Sequence, residues 1–189
     1  MITSHFKNKK KIYIISSIVL IYFYLKSKNS KQYNTKTLTA KQIEFIRSIL
    51  PSAKIIEQKI GVPYQFIISQ ICIESGFGKS SLTTKYFNYG GIKAIKDKPS
   101  VKLLTTECDK NGICKKVYQN FAVFKNATEG LMYQAKIYSN KYFKQYLNKT
   151  TDPYKYVQLI QSGAVKYATS PTYVKTISNI IDKVISSGF

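Results

Sequence analysis

Across 189 residues there is no tryptophan, and histidine, methionine and cysteine occur only once, twice and three times. Acidic side chains are also scarce, 9 Asp and Glu against 30 Lys and Arg, for a formal charge of +21. The single histidine, His5, lies in a basic tail before an apolar run. A Ser-His or Cys-His nucleophile therefore has no base, and histidine-ligated metal hydrolysis has no ligands. Two cysteines, Cys108 and Cys114, with no histidine beside them do not make the four ligands of a zinc site. No metal and no cofactor is expected. Gly78-Lys-Ser80 invites a phosphate-loop reading, but that motif needs glycine where this chain has Ile73. Carboxylate, lysine and tyrosine are what remain for catalysis.

A hydrophobic content of 44% rules out wholesale disorder, and the length suits one domain of about 150 residues with an N-terminal appendage. The charge implies an anionic partner, whether nucleic acid, anionic lipid or cell-wall polymer. Abundant Lys, Asn, Ile and Tyr also fit a drift toward AT-rich codons, so charge alone predicts no specific nucleic-acid binding.

Residues 1–11 form a basic tail, and residues 12–25 are fourteen residues without a charge. That run is shorter than the about 20 residues of a spanning helix and matches a signal-peptide core. The lysines that follow lack a small-residue cleavage site and can snorkel at the membrane surface, which favours an uncleaved transmembrane signal anchor over a cleaved signal. Residues 26–37 read as a polar linker and 38–189 as the globular domain, expected outside the cytoplasm and monomeric.

Within the domain, Thr39-Ala-Lys-Gln42 is a capping box opening a helix that Pro51 is expected to end. A second helix through Ile55, Ile56 and Ile60 reaches Gly61. Pro63 and Gly76 then bracket a third helix with Ile67, Ile68, Ile71 and Cys72 at helical spacing. Glu74 falls on its apolar stripe, not on its polar back. A carboxyl group there has its pKa raised by desolvation, which is what a general acid near neutral pH needs. The alternative is a helix-end glutamate turned to solvent or satisfied by the following amides.

Between residues 86 and 124 the period changes: Val101 to Thr106 and Lys115 to Val123 are β-formers around an Asn111-Gly112 turn. The hairpin sets Cys108 against Cys114, as a disulfide in an exported domain or free thiols in a reducing compartment. Leu103, Thr105 and Glu107 share one strand face, so Glu107 is either a second cleft carboxylate or a surface glutamate paired with Lys115 or Lys116. Asn126-Ala-Thr-Glu129 caps a helix carrying Leu131, Ala135 and Tyr138, and Asp152-Pro153 and Ser170-Pro171 read as two further helix starts. The fold class is α+β, mainly α, with a small β-lobe.

Gln70-Ile-Cys-Ile-Glu-Ser-Gly-Phe-Gly-Lys-Ser80 resembles the Gln-x-x-x-Glu-Ser-Gly-(Trp/Phe)-Gly-x-Ser signature of glycoside hydrolase family 73, the peptidoglycan N-acetylglucosaminidases of the lysozyme superfamily. Asn88-Tyr-Gly-Gly-Ile-Lys-Ala94, Thr105-Thr-Glu107 and Tyr167-Ala-Thr-Ser-Pro-Thr-Tyr173 agree in order and spacing. The resemblance implies a lysozyme-like domain whose hairpin borders the cleft, acting on glycan strands at the β-1,4 bond between N-acetylglucosamine and N-acetylmuramic acid. It implies Glu74 as acid, Glu107 activating water or stabilising positive charge, Tyr167 steadying the reacting group, and Gln70, Phe77, Asn88, Ile92, Lys93 and Tyr173 as substrate-binding positions. A lytic transglycosylase or muramidase of the same superfamily, or a wall-binding protein without turnover, is the alternative. Three positions depart from the pattern: Phe77 for the commoner Trp, Gly90 for an aromatic, and Ser170 for Asp.

Overall fold

A computed structural model of the chain describes residues 37–108 and 113–189. The basic tail, the apolar run of residues 12–25, most of the linker and the Asn111-Gly112 turn lie outside the described residues. Among the described residues no helix is long and apolar enough to cross a membrane.

Helix α1 (Ala40–Ile60) opens on Thr39, whose hydroxyl accepts from the Gln42 amide while the Gln42 side chain accepts from the Thr39 amide. Pro51 does not end it: α1 runs through the proline for 21 residues, and the second expected helix is its continuation. A proline costs an internal helix one hydrogen bond and a steric clash. Packing offsets that cost here, because Ile46, Ile49, Ala53 and Ile56 stay buried on one face across the proline. The Ser52 hydroxyl adjoining it bonds to Thr128 at 2.8 Å.

Helix α2 (Tyr64–Ser75) is the core of the domain. Every residue from Phe66 to Ile73 is buried, including Ser69 on the side expected to be polar and Gln70 on the same face as Glu74. Burying one such isoleucine side chain contributes about 2–3 kcal/mol relative to exposure. The helix packs against α1 and the C-terminal helix and more lightly against the helix preceding it. A short helix, α3 (Ser81–Tyr86), follows; its serine-threonine composition gave no apolar period to announce it.

Strands β1 (Ser100–Cys108) and β2 (Cys114–Ala122) form a two-stranded antiparallel ribbon in which Glu107 opposes Lys115 and Cys108 opposes Cys114. Cys114 is disulfide-bonded, whereas Cys72 is a free, buried core thiol. The other edge of β2 is covered by residues 92–94, through Ala122 N to Ile92 O at 2.9 Å and Ala94 N to Asn120 O at 2.8 Å.

Helix α4 (Ala127–Ala135) is capped by Asn126 and runs into a 3-10 turn at Lys136–Ser139, bringing Leu131, Ala135 and Tyr138 into the core. Gly130 is required there, since a Cβ would strike the Phe87 carbonyl. A second 3-10 turn (Lys144–Tyr146) leads to α5 (Pro153–Ser162), capped by Asp152. The last helix, α6 (Tyr173–Ser186), starts two residues beyond Pro171, because the Ser170 hydroxyl bonds to Thr172 and closes a turn first. The result is a mainly helical domain with one small antiparallel ribbon.

Candidate active site

Glu74 is the one residue in the last two turns of α2 that keeps contact with solvent; its neighbours on both sides are buried. Helix α2 stops immediately afterward on three consecutive left-handed residues, Gly76, Phe77 and Gly78, at φ 59, 58 and 77°. The Phe77 amide reaches back to Cys72 O at 2.7 Å, and the Ser75 hydroxyl bridges Ile71 O and the Gly78 amide. A Cβ on Gly78 would enter the Phe45 ring, so glycine is needed there for both torsion and space. This tight exit ends the helix at the carboxyl group.

Burial pushes the Glu74 carboxyl up to about 8 from an ordinary value of 4.5, against a smaller opposite effect from the Gln70 hydrogen bond. Glu74 keeps some exposed surface as a residue, while its carboxyl group is desolvated by the protein around it. Gln70 Nε2 donates to Glu74 Oε1 at 2.8 Å, and Tyr173 OH donates to Gln70 Oε1 at 2.9 Å. Both supporting side chains have almost no exposed surface.

Beneath them lies a cage of rings. Tyr167 stacks on Tyr138 at 5.8 Å, adjoins Tyr173 at 5.6 Å and Phe143 at 5.5 Å, and bonds through its hydroxyl to that of Tyr138. Burial raises all three tyrosines well above their ordinary range, and each lies close enough to feel the Glu74 charge. They stay neutral at any physiological pH. The loop bearing Tyr167 is held by Gln161, whose amide bonds to both the N–H and the carbonyl of Ala168 at 2.8 and 3.0 Å. Serine at 170 thus leaves the loop anchored from another direction.

Glu107 belongs to a second cluster. Its Oε1 pairs with Lys93 Nζ at 2.6 Å, not with Lys115 or Lys116, and Lys93 also lies over the Phe121 ring at 4.4 Å. Lys93 reaches it because residues 92–94 run along β2. Asn88 fixes that segment: its side chain donates to Ile92 O and Ala122 O and accepts from Ile92 N, all within 2.8–2.9 Å. Asn88 is 1% exposed. Of the six positions expected to bind substrate, Phe77, Ile92 and Lys93 are half-exposed, whereas Gln70, Asn88 and Tyr173 are buried with polar atoms committed inside the protein.

The glucosaminidase family, described as mannosyl-glycoprotein endo-beta-N-acetylglucosaminidase, matches residues 50–186, a span holding both clusters. The chain belongs to this family, glycoside hydrolase family 73. Among curated relatives, the peptidoglycan hydrolase FlgJ of Pseudomonas aeruginosa is 27% identical over 77% of this chain and 37% of its own length. The exo-glucosaminidase LytG of Bacillus subtilis is 28% identical over 91% of this chain and 63% of its own. The chain thus spans less than half of the FlgJ relative's length. The glycoside hydrolase domain of Salmonella typhimurium FlgJ, 25% identical, superposes with a TM-score of 0.61 over 77% of this chain and 98% of that domain. The catalytic domain of the Listeria monocytogenes autolysin Auto shares the fold, at 23% identity, with a TM-score of 0.67 over 85% of this chain and 91% of its own.

The domain is therefore a glycoside hydrolase domain with the lysozyme-like fold of family 73. Where an aromatic was expected, Gly90 leaves space that the Gln134 side chain occupies, and a Cβ there would displace it. Sequence reasoning placed Tyr138 only on a core stripe and missed its hydroxyl contact with Tyr167. A buried tyrosine hydroxyl needs a partner, and that requirement was the available signal. Among the described residues, no group of three or more His, Cys, Asp or Glu side chains could hold a metal ion.

Proposed function

We propose that this chain is a peptidoglycan hydrolase that cleaves the β-1,4 bond between N-acetylglucosamine and N-acetylmuramic acid, with Glu74 as general acid. The observation that carries the reading is the carboxyl group of a partly exposed residue at the end of a buried helix, pushed by desolvation up to about 8 and so mostly protonated at pH 7. Glu74 gives its proton to the glycosidic oxygen as the bond from the N-acetylglucosamine C1 breaks. Water then adds its hydroxyl to C1, and its remaining proton restores the acid. Glu107, held by Lys93, is the second carboxylate, activating that water or stabilising the oxocarbenium-like charge. Tyr167, in the neutral cage below, steadies the reacting group.

Phe77, Ile92 and Lys93 retain the exposure that contact with a sugar requires, whereas Gln70, Asn88 and Tyr173 support from below. Residues 12–25 anchor the chain in the membrane, 26–37 tether it, and 38–189 act as a monomeric catalytic domain at the cell envelope. Clearing of a peptidoglycan suspension tests the reading. Wild type should clear it and Glu74→Gln should not; equal rates would overturn the assignment.

A further inference from the structure

A neutral carboxyl group has one oxygen that carries the proton and one that only accepts, and only a proton facing the substrate is useful to a general acid. We infer that Gln70 and Tyr173 form a relay that fixes which oxygen of Glu74 carries its proton, making both positioning residues for the reaction. The inference rests on the reading of Glu74 as the acid.

Gln70 lies one turn before Glu74 on α2, and its Nε2 donates to Oε1 at 2.8 Å. An oxygen that already accepts a hydrogen bond is the poorer place for the proton, so the proton sits on Oε2. Were the Gln70 amide turned over, its carbonyl would face Oε1 and draw the proton inward, away from any bound sugar. In the structure the carbonyl faces the other way: the Tyr173 hydroxyl, at the first residue of α6, donates to Gln70 Oε1 at 2.9 Å and leaves the amide N–H for Glu74. Tyr173 has no exposed surface and its ring lies against Tyr167, so its hydroxyl oxygen stays beside the Gln70 amide. The titratable groups that face Glu74 are Tyr138 from the 3-10 turn after α4, Tyr167 from the loop after α5, and Tyr173 from α6. All three are neutral, so hydrogen-bond direction, not a neighbouring charge, decides the proton's place. Gln70 is 1% exposed and so has no surface to offer a sugar.

The test is the pH–rate profile of Gln70→Leu and Tyr173→Phe on solubilised glycan strands, with a parallel carbon-13 NMR titration of carboxyl-labelled glutamate in the full chain. The Gln70 bond lowers the Glu74 pKa, so its loss should move the alkaline limb and the titration midpoint upward in Gln70→Leu. kcat should fall about 10- to 100-fold with KM within twofold. Tyr173→Phe should lower kcat several-fold, again at constant KM. A packing role alone would reduce thermal stability and leave limb and midpoint unmoved; that result overturns the relay even if Glu74→Gln is inactive. If wild type and Glu74→Gln turn over equally, the acid assignment fails instead, and the titration still decides whether Gln70 governs the carboxyl. Should Gln70→Leu not fold, Gln70→Glu, which keeps the shape and shares a proton with Glu74, should also raise the midpoint; an unshifted one refutes the inference.

Discussion

Replacing Glu74 with glutamine should make the protein inactive and, at alkaline pH, more stable. In the folded state the carboxyl loses its proton near pH 8, and in the unfolded chain near 4.5. Between those values the unfolded state has released a proton that the folded state still holds. Stability from this group is therefore full below pH 4.5, falls as pH rises, and is flat again above pH 8. At 1.36 kcal/mol per unit, the whole difference is at most about 5 kcal/mol. Glu74 keeps some exposed surface, and relaxation and solvent screen the charged form, so about 2–3 kcal/mol is the expected fall. Glutamine preserves the shape and the place opposite Gln70 without titrating. The wild-type melting temperature should thus drop by about 5–10 °C relative to Glu74→Gln between pH 4.5 and 8.5. Thermal unfolding of both proteins across that range measures it, because the other carboxylates cancel in the comparison. A difference constant with pH would mean that the carboxyl ionises in its ordinary range, and the argument for a neutral acid would collapse.

Asn88→Ala should cost about 3 kcal/mol in urea unfolding, since two backbone carbonyls and one amide lose their partner in a buried place. Gly78→Ala should cost about 2 kcal/mol by the same measurement, as the left-handed torsion and the Phe45 ring both oppose a Cβ. Lys93→Met should leave stability within about 1 kcal/mol, because its ion pair is partly exposed, yet lower peptidoglycan turnover about tenfold by releasing Glu107; an unchanged rate would make Glu107 a surface residue.

The parts legible in the sequence were those written in local chemistry. Thr39, Asn126 and Asp152 cap helices as their side chains require, and the alternation of Leu103, Thr105 and Glu107 gives the half-buried strand face. What escaped was decided by packing between distant segments. Pro51 is tolerated because α1 is pressed on the core over its whole length, a fact absent from its neighbouring letters. Gln70 and Ser69 look polar, yet the helix is covered on every side, so Gln70, on the same face as Glu74, became the route by which Tyr173, 103 residues away, supports it. Lys93 as the partner of Glu107 depends on the strand-like course of residues 92–94, which carry no strand period. Periodicity does locate Glu74 near the core, but the two buried side chains that hold it come from the fold.

Mass spectrometry of the fragments released from purified peptidoglycan reads both the bond that breaks and the need for the Glu74 proton. Wild type should release fragments ending in reducing N-acetylglucosamine, each heavier than its parent segment by one water, and Glu74→Gln should release none. Fragments ending in N-acetylmuramic acid or an anhydro-sugar, or an equal yield from the variant, would contradict the account.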